Sequence, residues 1–238
     1  MAMSAHAYAA RRTPAAQPPG AGSRAGVLRA LWIAALCLLA LALIWLVAEL
    51  VPQAQARDSL ALRDFTLLSG PHVSAVADFL LRLLDPGLLA LWGTALVTFA
   101  LVQARPRVAL AVALVLALAP LSSDLLKPLL AHPHSLAGAV YINPASWPSG
   151  HATAALALAL CAVLVAPPRL RPGVAGLGAV FSVAVGCSLL IRAWHMPSDV
   201  LGGYVMAALW MALAVAALRA TDARLPPGAG VARTRTTA

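Results

Sequence analysis

The sequence predicts an all-α fold, a six-transmembrane-helix bundle whose chemistry-bearing residues gather at the extracytoplasmic face. Three observations predict it: the composition, the lengths of the apolar runs, and the distribution of arginine between them. The chain has 238 residues, 61% of them hydrophobic and 11% charged, where a soluble domain carries roughly a quarter charged residues. Such a chain takes lipid as its solvent.

Residues 1–26 are rich in Ala, Pro, Gly and Arg without a periodic apolar face, and they read as a disordered cytoplasmic tail. Val27 to Val51 is an almost uncharged run, long enough for a hydrocarbon core of about 30 Å at about 1.5 Å per residue. Ala54-Gln55-Ala56 resembles a signal-peptide cleavage site, but this run exceeds the usual h-region of about 7–15 residues, so a retained helix is expected. Between it and the next crossing, Val73 to Leu84 interleaves apolar residues at helical spacing with charges, the pattern of an amphipathic segment at the membrane surface. Pro86-Gly87 ends that segment. Further apolar runs span Leu88 to Val102, Val108 to Leu126, His151 to Val165, Val174 to Ala193 and Val200 to Leu218, which completes six crossings within residues 27–218. Residues 219–238 form a second disordered cytoplasmic tail. Gly173, Gly176 and Gly178 read as a close-packing face. Cys37, Cys161 and Cys187 fall inside apolar runs without metal-ligand spacing and read as small hydrophobes.

Counting cations orients the bundle. With the N-terminus inside, Arg11, Arg12, Arg24, Arg29, Arg105, Arg107, Arg169, Arg171, Arg219, Arg224, Arg233 and Arg235 lie on the cytoplasmic side. Only Arg57, Arg63, Arg82, Lys127 and Arg192 lie outside, a bias of twelve to five that follows the positive-inside rule. A multi-pass protein of the plasma membrane with both termini cytoplasmic is expected. The net charge of +9 therefore reflects topology. The arginines cluster between runs and in the tails, not along one helical stripe, which argues against a nucleic-acid partner. No signal of oligomeric state is present.

Polar groups at membrane depth are costly and mark function by default. They concentrate in three places: Lys127 with His132-Pro133-His134; Trp147-Pro148-Ser149-Gly150-His151; and Arg192 with His195, Pro197, Ser198 and Asp199. The topology puts all three at the outer ends of the third, fourth and fifth crossings. Lys127 is the only lysine in the chain. It is either a compact ammonium suited to phosphate or a helix-end lysine paired with Asp124. Ser149 and Gly150 open a helix whose free N–H groups suit an anion, with His151 beside it; a plain N-cap is the alternative. His195 and Asp199 stand four apart. A turn at Pro197 would let the carboxylate fix one imidazole nitrogen and leave the other free to attack, although Ser198 or Asp199 could equally be a helix cap.

Lys127, Pro148-Ser149-Gly150-His151 and Ser188…His195-Met-Pro-Ser-Asp199-Val-Leu-Gly202, in that order, resemble the three motifs of the type 2 phosphatidic acid phosphatase superfamily, the membrane lipid phosphate phosphatases. The resemblance covers about residues 85–218. It implies hydrolysis of a lipid phosphomonoester or pyrophosphate in the bilayer through a phosphohistidine, with no cofactor and no metal. His195 would be the nucleophile, Asp199 its orienting partner and His151 the general acid and base. Lys127, Ser149 and Gly150 would hold the phosphate oxygens. Two departures stand out. The first-motif arginine falls at His134, or at His132 under a shorter spacing, and the third-motif arginine falls at Leu189. Arg192, three residues further on the same helical face, is the candidate to replace it. A phosphotransferase using the same phosphohistidine and a non-catalytic lipid-binding or scaffold relative are the alternative readings.

Overall fold

The structure is a computed structural model and describes residues 21–131 and 142–224. Its described residues form eight helices: α1 (Ala21–Leu50), α2 (Pro52–Thr66), α3 (Pro71–Arg82), α4 (Pro86–Val102), α5 (Pro106–Leu129), α6 (Gly150–Val165), α7 (Arg171–Ile191) and α8 (Pro197–Arg224). Proline stands in the first two positions of α2, α3, α4, α5 and α7 and opens α8. At that position its missing N–H costs nothing and its fixed φ suits the helix.

The chain is a multi-pass membrane protein. Four helices are long and apolar enough to cross a bilayer, over Arg24–Leu50, Pro106–Leu129, Arg171–Ile191 and Pro197–Asp222. A fifth span arises if α3 and α4, bent by 55° at their break, are taken together. The fourth expected crossing is the short one. With 16 residues, α6 reaches about 24 Å, less than a hydrocarbon core of about 30 Å. The expected surface segment is α3, which packs its Ala77 and Leu81 inward and joins Leu84, Leu189 and Leu190 in one apolar cluster. The helix α2 was not anticipated. Helix α1 starts within the stretch read as a tail, and α8 extends to Arg224.

Two ends of the bundle differ in chemistry. At one end Arg219 donates to Gly26 O (2.8 Å), Arg105 donates to Leu164 O and Val165 O (3.3 and 3.2 Å), and Arg107 pairs with Asp222 (3.5 Å). These contacts bring together the start of α1 and the end of α8, and the start of α5 and the end of α6. The opposite end carries Lys127, the start of α6 and the turn before α8.

Helix α6 lies among α4, α5, α7 and α8, and five of its eight buried residues are alanine, Ala152, Ala154, Ala155, Ala157 and Ala159. Small side chains let backbones approach closely where no hydrophobic force drives helices together in lipid. Gly178 on α7 meets Ala159, whose Cβ is 2.7 Å from where a Gly178 Cβ would stand, whereas Gly173 and Gly176 face open space. The close-packing reading therefore holds for one glycine of the three. On α8, a Cβ at Gly203 would stand 2.5 Å from Ser149 O and 2.9 Å from Ala152 Cβ. Because the first obstacle is backbone, Gly203→Ala should destabilise the protein by roughly 1–3 kcal/mol. Thermal unfolding in detergent checks this, and a variant as stable as the wild type would refute the close approach of α6 and α8.

Candidate functional site

The turn between α7 and α8 is built by backbone geometry. Ala193 adopts a left-handed conformation (φ 53°); its N–H reaches Leu190 O, and Trp194 N–H reaches Leu189 O, each at 3.0 Å. This pair of bonds closes α7 in a Schellman arrangement with alanine where glycine is usual. The reversal delivers His195 three residues after Arg192, the last cap of α7. Pro197 then starts α8.

Asp199, in the first turn of α8, is fully buried. Its Oδ2 accepts from Met196 N–H at 2.9 Å and lies 3.2 Å from His195 Nδ1. An ionised carboxylate can only accept, so Nδ1 carries the proton and Nε2 keeps its lone pair. The expected pairing thus forms, and Pro197 supplies the turn that allows it. The reading of Ser198 or Asp199 as the N-cap does not hold, because α8 starts at Pro197 and both lie inside it; Asp199 instead reaches back to the amide of Met196, the residue before the helix. Asp199 Oδ1 has no hydrogen-bond partner among the described residues.

The second motif docks onto the same turn. Ser149 N–H donates to Asp199 O at 3.0 Å. The Trp147-Pro148 peptide is cis, and the Trp147 ring lies over Gly202, where a Cβ would come within 2.7 Å of Nε1. Ser149 is the N-cap of α6, with its Oγ accepting from Ala152 N–H at 3.4 Å. Its hydroxyl is therefore committed to capping and buried, which leaves the amides beyond it as the anion-facing groups. Thr153 Oγ1 donates to Ser149 O at 2.8 Å and lies 2.9 Å from Ser123 Oγ, tying α6 to α5. Neither hydroxyl was singled out from sequence; only their matching depth in two apolar runs pointed to them. His151 meets the Trp194 ring edge-on with centroids 5.8 Å apart. It lies within electrostatic reach of His195 and Lys127.

Lys127 Nζ bonds Asp124 Oδ1 at 2.7 Å. Both atoms also crowd Gly150, at 3.6 and 3.3 Å from the place a Cβ would take. The pairing with Asp124 therefore forms, and the ammonium also stands beside the start of α6. Arg192 takes another direction. Its Nε lies 2.8 Å from Asp78 Oδ1 on α3, although the N–H is not aligned for a hydrogen bond. His132 and His134 lie outside the described residues. Asp58 and Asp78, which sequence reasoning did not single out, both reach this end of the bundle: Asp58 bonds Ser198 and Asp78 pairs with Arg192.

A cavity of about 710 Å³ opens between α4, α5 and α6. Asp85, Asp124, Lys127, Gly150 and His151 line one part of it, and Leu89, Val97, Leu116 and Leu121 line the rest.

Residues 108–222 match the PAP2 superfamily. The chain carries a PAP2-superfamily domain. The matched segment runs from the start of α5 to the end of α8 and so contains Lys127, Ser149, Gly150, His151, Arg192, His195 and Asp199. Helices α1 to α4 precede it. A likeness in fold extends beyond that segment. A crystal structure of the first transmembrane PAP2 type phosphatidylglycerolphosphate phosphatase from Bacillus subtilis superposes with a TM-score of 0.65 at 20% identity, over 83% of this chain and 99% of that one. No curated protein sequence matches.

Asp124 competes with any anion for the ammonium of Lys127. Exposed ion pairs contribute about 0.2–1 kcal/mol, so Asp124→Asn should lower the concentration of inorganic phosphate needed to occupy the candidate site by about 1.4- to 5-fold. Equilibrium binding of radiolabelled phosphate to wild type and variant measures this; unchanged or weaker binding would place Lys127 outside the anion site.

Proposed function

We propose that the protein is a lipid phosphate phosphatase working through a phosphohistidine. One observation carries the reading: the buried His195–Asp199 pair stands at the same end of the bundle as Lys127 and the start of α6, where the cavity between α4, α5 and α6 has its polar part. Such a cavity suits a ligand with a phosphate head and a hydrocarbon tail.

His195 Nε2 attacks phosphorus in line, and the bond from phosphorus to the lipid oxygen breaks. Asp199 holds the ring and balances the imidazolium charge. His151 gives its proton to the departing oxygen and then takes one from water as that water attacks phosphorus. The P–N bond breaks, inorganic phosphate leaves and His195 is restored. Lys127 and the amides of Gly150 and His151 carry the equatorial oxygens as charge shifts. Arg192 stands in for the arginine that Leu189 replaces, with Asp78 on Nε orienting its fork. The candidate substrates are phosphatidic acid, phosphatidylglycerol phosphate and polyprenyl pyrophosphates.

The arginine bias assigns the Arg105–Arg219 end to the cytoplasm and the site to the outer face of the plasma membrane. In that arrangement α6 is the fourth of six crossings, short because its first turn starts inside the site.

His195→Ala should abolish phosphate release, measured with purified protein in detergent on those three lipids, while the unfolding midpoint stays near that of wild type. Activity within a few-fold of wild type would rule out a phosphohistidine at that position.

Turnover should also survive EDTA, because the proposed charge stabilisation comes from Lys127, Arg192 and backbone amides. Loss on chelation, with recovery on Mg²⁺ or Zn²⁺, would overturn that account.

A further inference from the structure

Asp58 sits on α2, outside the matched segment and 140 residues from its partner. Its carboxylate accepts from Ser198 Oγ–H at 2.5 Å and from Ser198 N–H at 3.2 and 3.4 Å. Ser198 is the residue immediately before Asp199 and the third after His195. We propose that Asp58 is a positioning residue for the phosphoryl transfer: from α2 it fixes the first turn of α8 and thereby aims His195.

The need for it follows from helix-end accounting. Pro197 has no N–H, so Ser198 supplies the first free amide of α8. Asp199 does not serve that amide: its Oδ2 holds Met196 N–H and lies against His195 Nδ1, and its Oδ1 makes no bond among the described residues. The amides of Asp199 and Val200 reach Met196 O. An acceptor from elsewhere is required, and a carboxylate also suits the positive end of the helix. One turn along α2 from Asp58, Leu62 is buried in the cluster that contains Met196, Leu189 and Val200. The same face of α2 therefore carries an apolar anchor and the acceptor, which fixes the carboxylate against the turn. Ser198 itself is buried, so water is a poor substitute. Asp58 acts through the backbone that carries His195. Displacement of a nucleophile by an ångström can cost about 100-fold in rate.

The inference rests on the proposed phosphatase reading, so its test has one arm without substrate. Hydrogen exchange of the full-length protein in detergent, read on peptides spanning residues 194–202, compares wild type with Asp58→Ala, Asp58→Asn and Ser198→Ala. Asp58→Ala should speed exchange there about tenfold and leave the peptides of α5 unchanged. On the preferred lipid phosphate, Asp58→Ala should lower kcat by about 10- to 100-fold with KM within about 3-fold. Asp58→Asn keeps an oxygen acceptor and should recover about a third or more of kcat. Ser198→Ala should lower kcat less, and the double variant Asp58→Ala/Ser198→Ala should be no worse than Asp58→Ala alone. Unchanged exchange at 194–202, unchanged kcat, or independent multiplication of the two effects would each overturn the inference. If Asp58→Ala does not fold, Ser198→Ala decides: wild-type exchange and wild-type kcat in that variant overturn it equally. A wild-type protein that releases no phosphate from any lipid defeats the phosphatase reading instead, and the exchange arm still reports whether Asp58 holds the turn.

Discussion

A carboxylate removed from water inside an apolar bundle carries a penalty of several kcal/mol unless its partners are in place. Asp199 is that carboxylate, and the neighbourhood is organised around compensating it. Its Oδ2 gathers the Met196 amide and the His195 ring, which compels the tight turn at Pro197. Its carbonyl takes the Ser149 amide, which docks the start of α6. The residue before it is held by Asp58 from α2. One buried acid thus couples three helices to a single turn, and the orientation of His195 follows from their joint geometry.

That coupling needs backbones to approach closely, which explains the composition of α6. Alanines on its inner face, Gly178 on α7 and Gly203 on α8 remove the side chains that would hold the helices apart. Ser123 and Thr153 then add a hydroxyl bridge between α5 and α6, beyond the bond that each makes to the carbonyl one turn back. Packing and polar satisfaction are the same requirement here: the Ser149-to-Asp199 bond exists only because Gly203 lets Ser149 in.

The fold class and much of the candidate site were legible in the sequence, because both rest on contrasts that lipid makes strong. Apolar runs gave the spanning helices, and polar residues at their ends marked Lys127, His151, His195 and Asp199. The bonding of His195 to Asp199 followed from a spacing of four with a proline between. What escaped had no local signature. Asp58 is one acid among Arg57, Arg63 and Asp64, and its meeting with Ser198, 140 residues away in sequence, is set by the packing of Leu62. Asp78 was equally silent, since only the packing of α3 on α7 brings it to Arg192. The commitment of Ser149 to its own helix cap is a three-dimensional outcome as well, since a serine at that place in a sequence serves a cap or a ligand alike.

The charge arrangement also bears on how a phosphate would reach the candidate site. Glu49, Asp58, Asp78, Asp85, Asp124 and Asp199 all lie at the site end or within electrostatic reach of it, while Arg105, Arg107 and Arg219 hold the other end. Of the cations at the site end, Lys127 is paired with Asp124 and Arg192 with Asp78. An end so rich in carboxylates gives little long-range attraction to a soluble anion. Attraction must come from close range, after Lys127 exchanges Asp124 for phosphate, and from the tail. At about 25 cal/mol per Å² of buried apolar surface, a hydrocarbon chain lying along Leu89, Val97, Leu116 and Leu121 supplies binding that the local charges withhold. The geometry therefore favours a substrate that is already in the bilayer and enters tail-first over one that arrives from water, and the carboxylates that weaken anion capture are the ones that hold the site together.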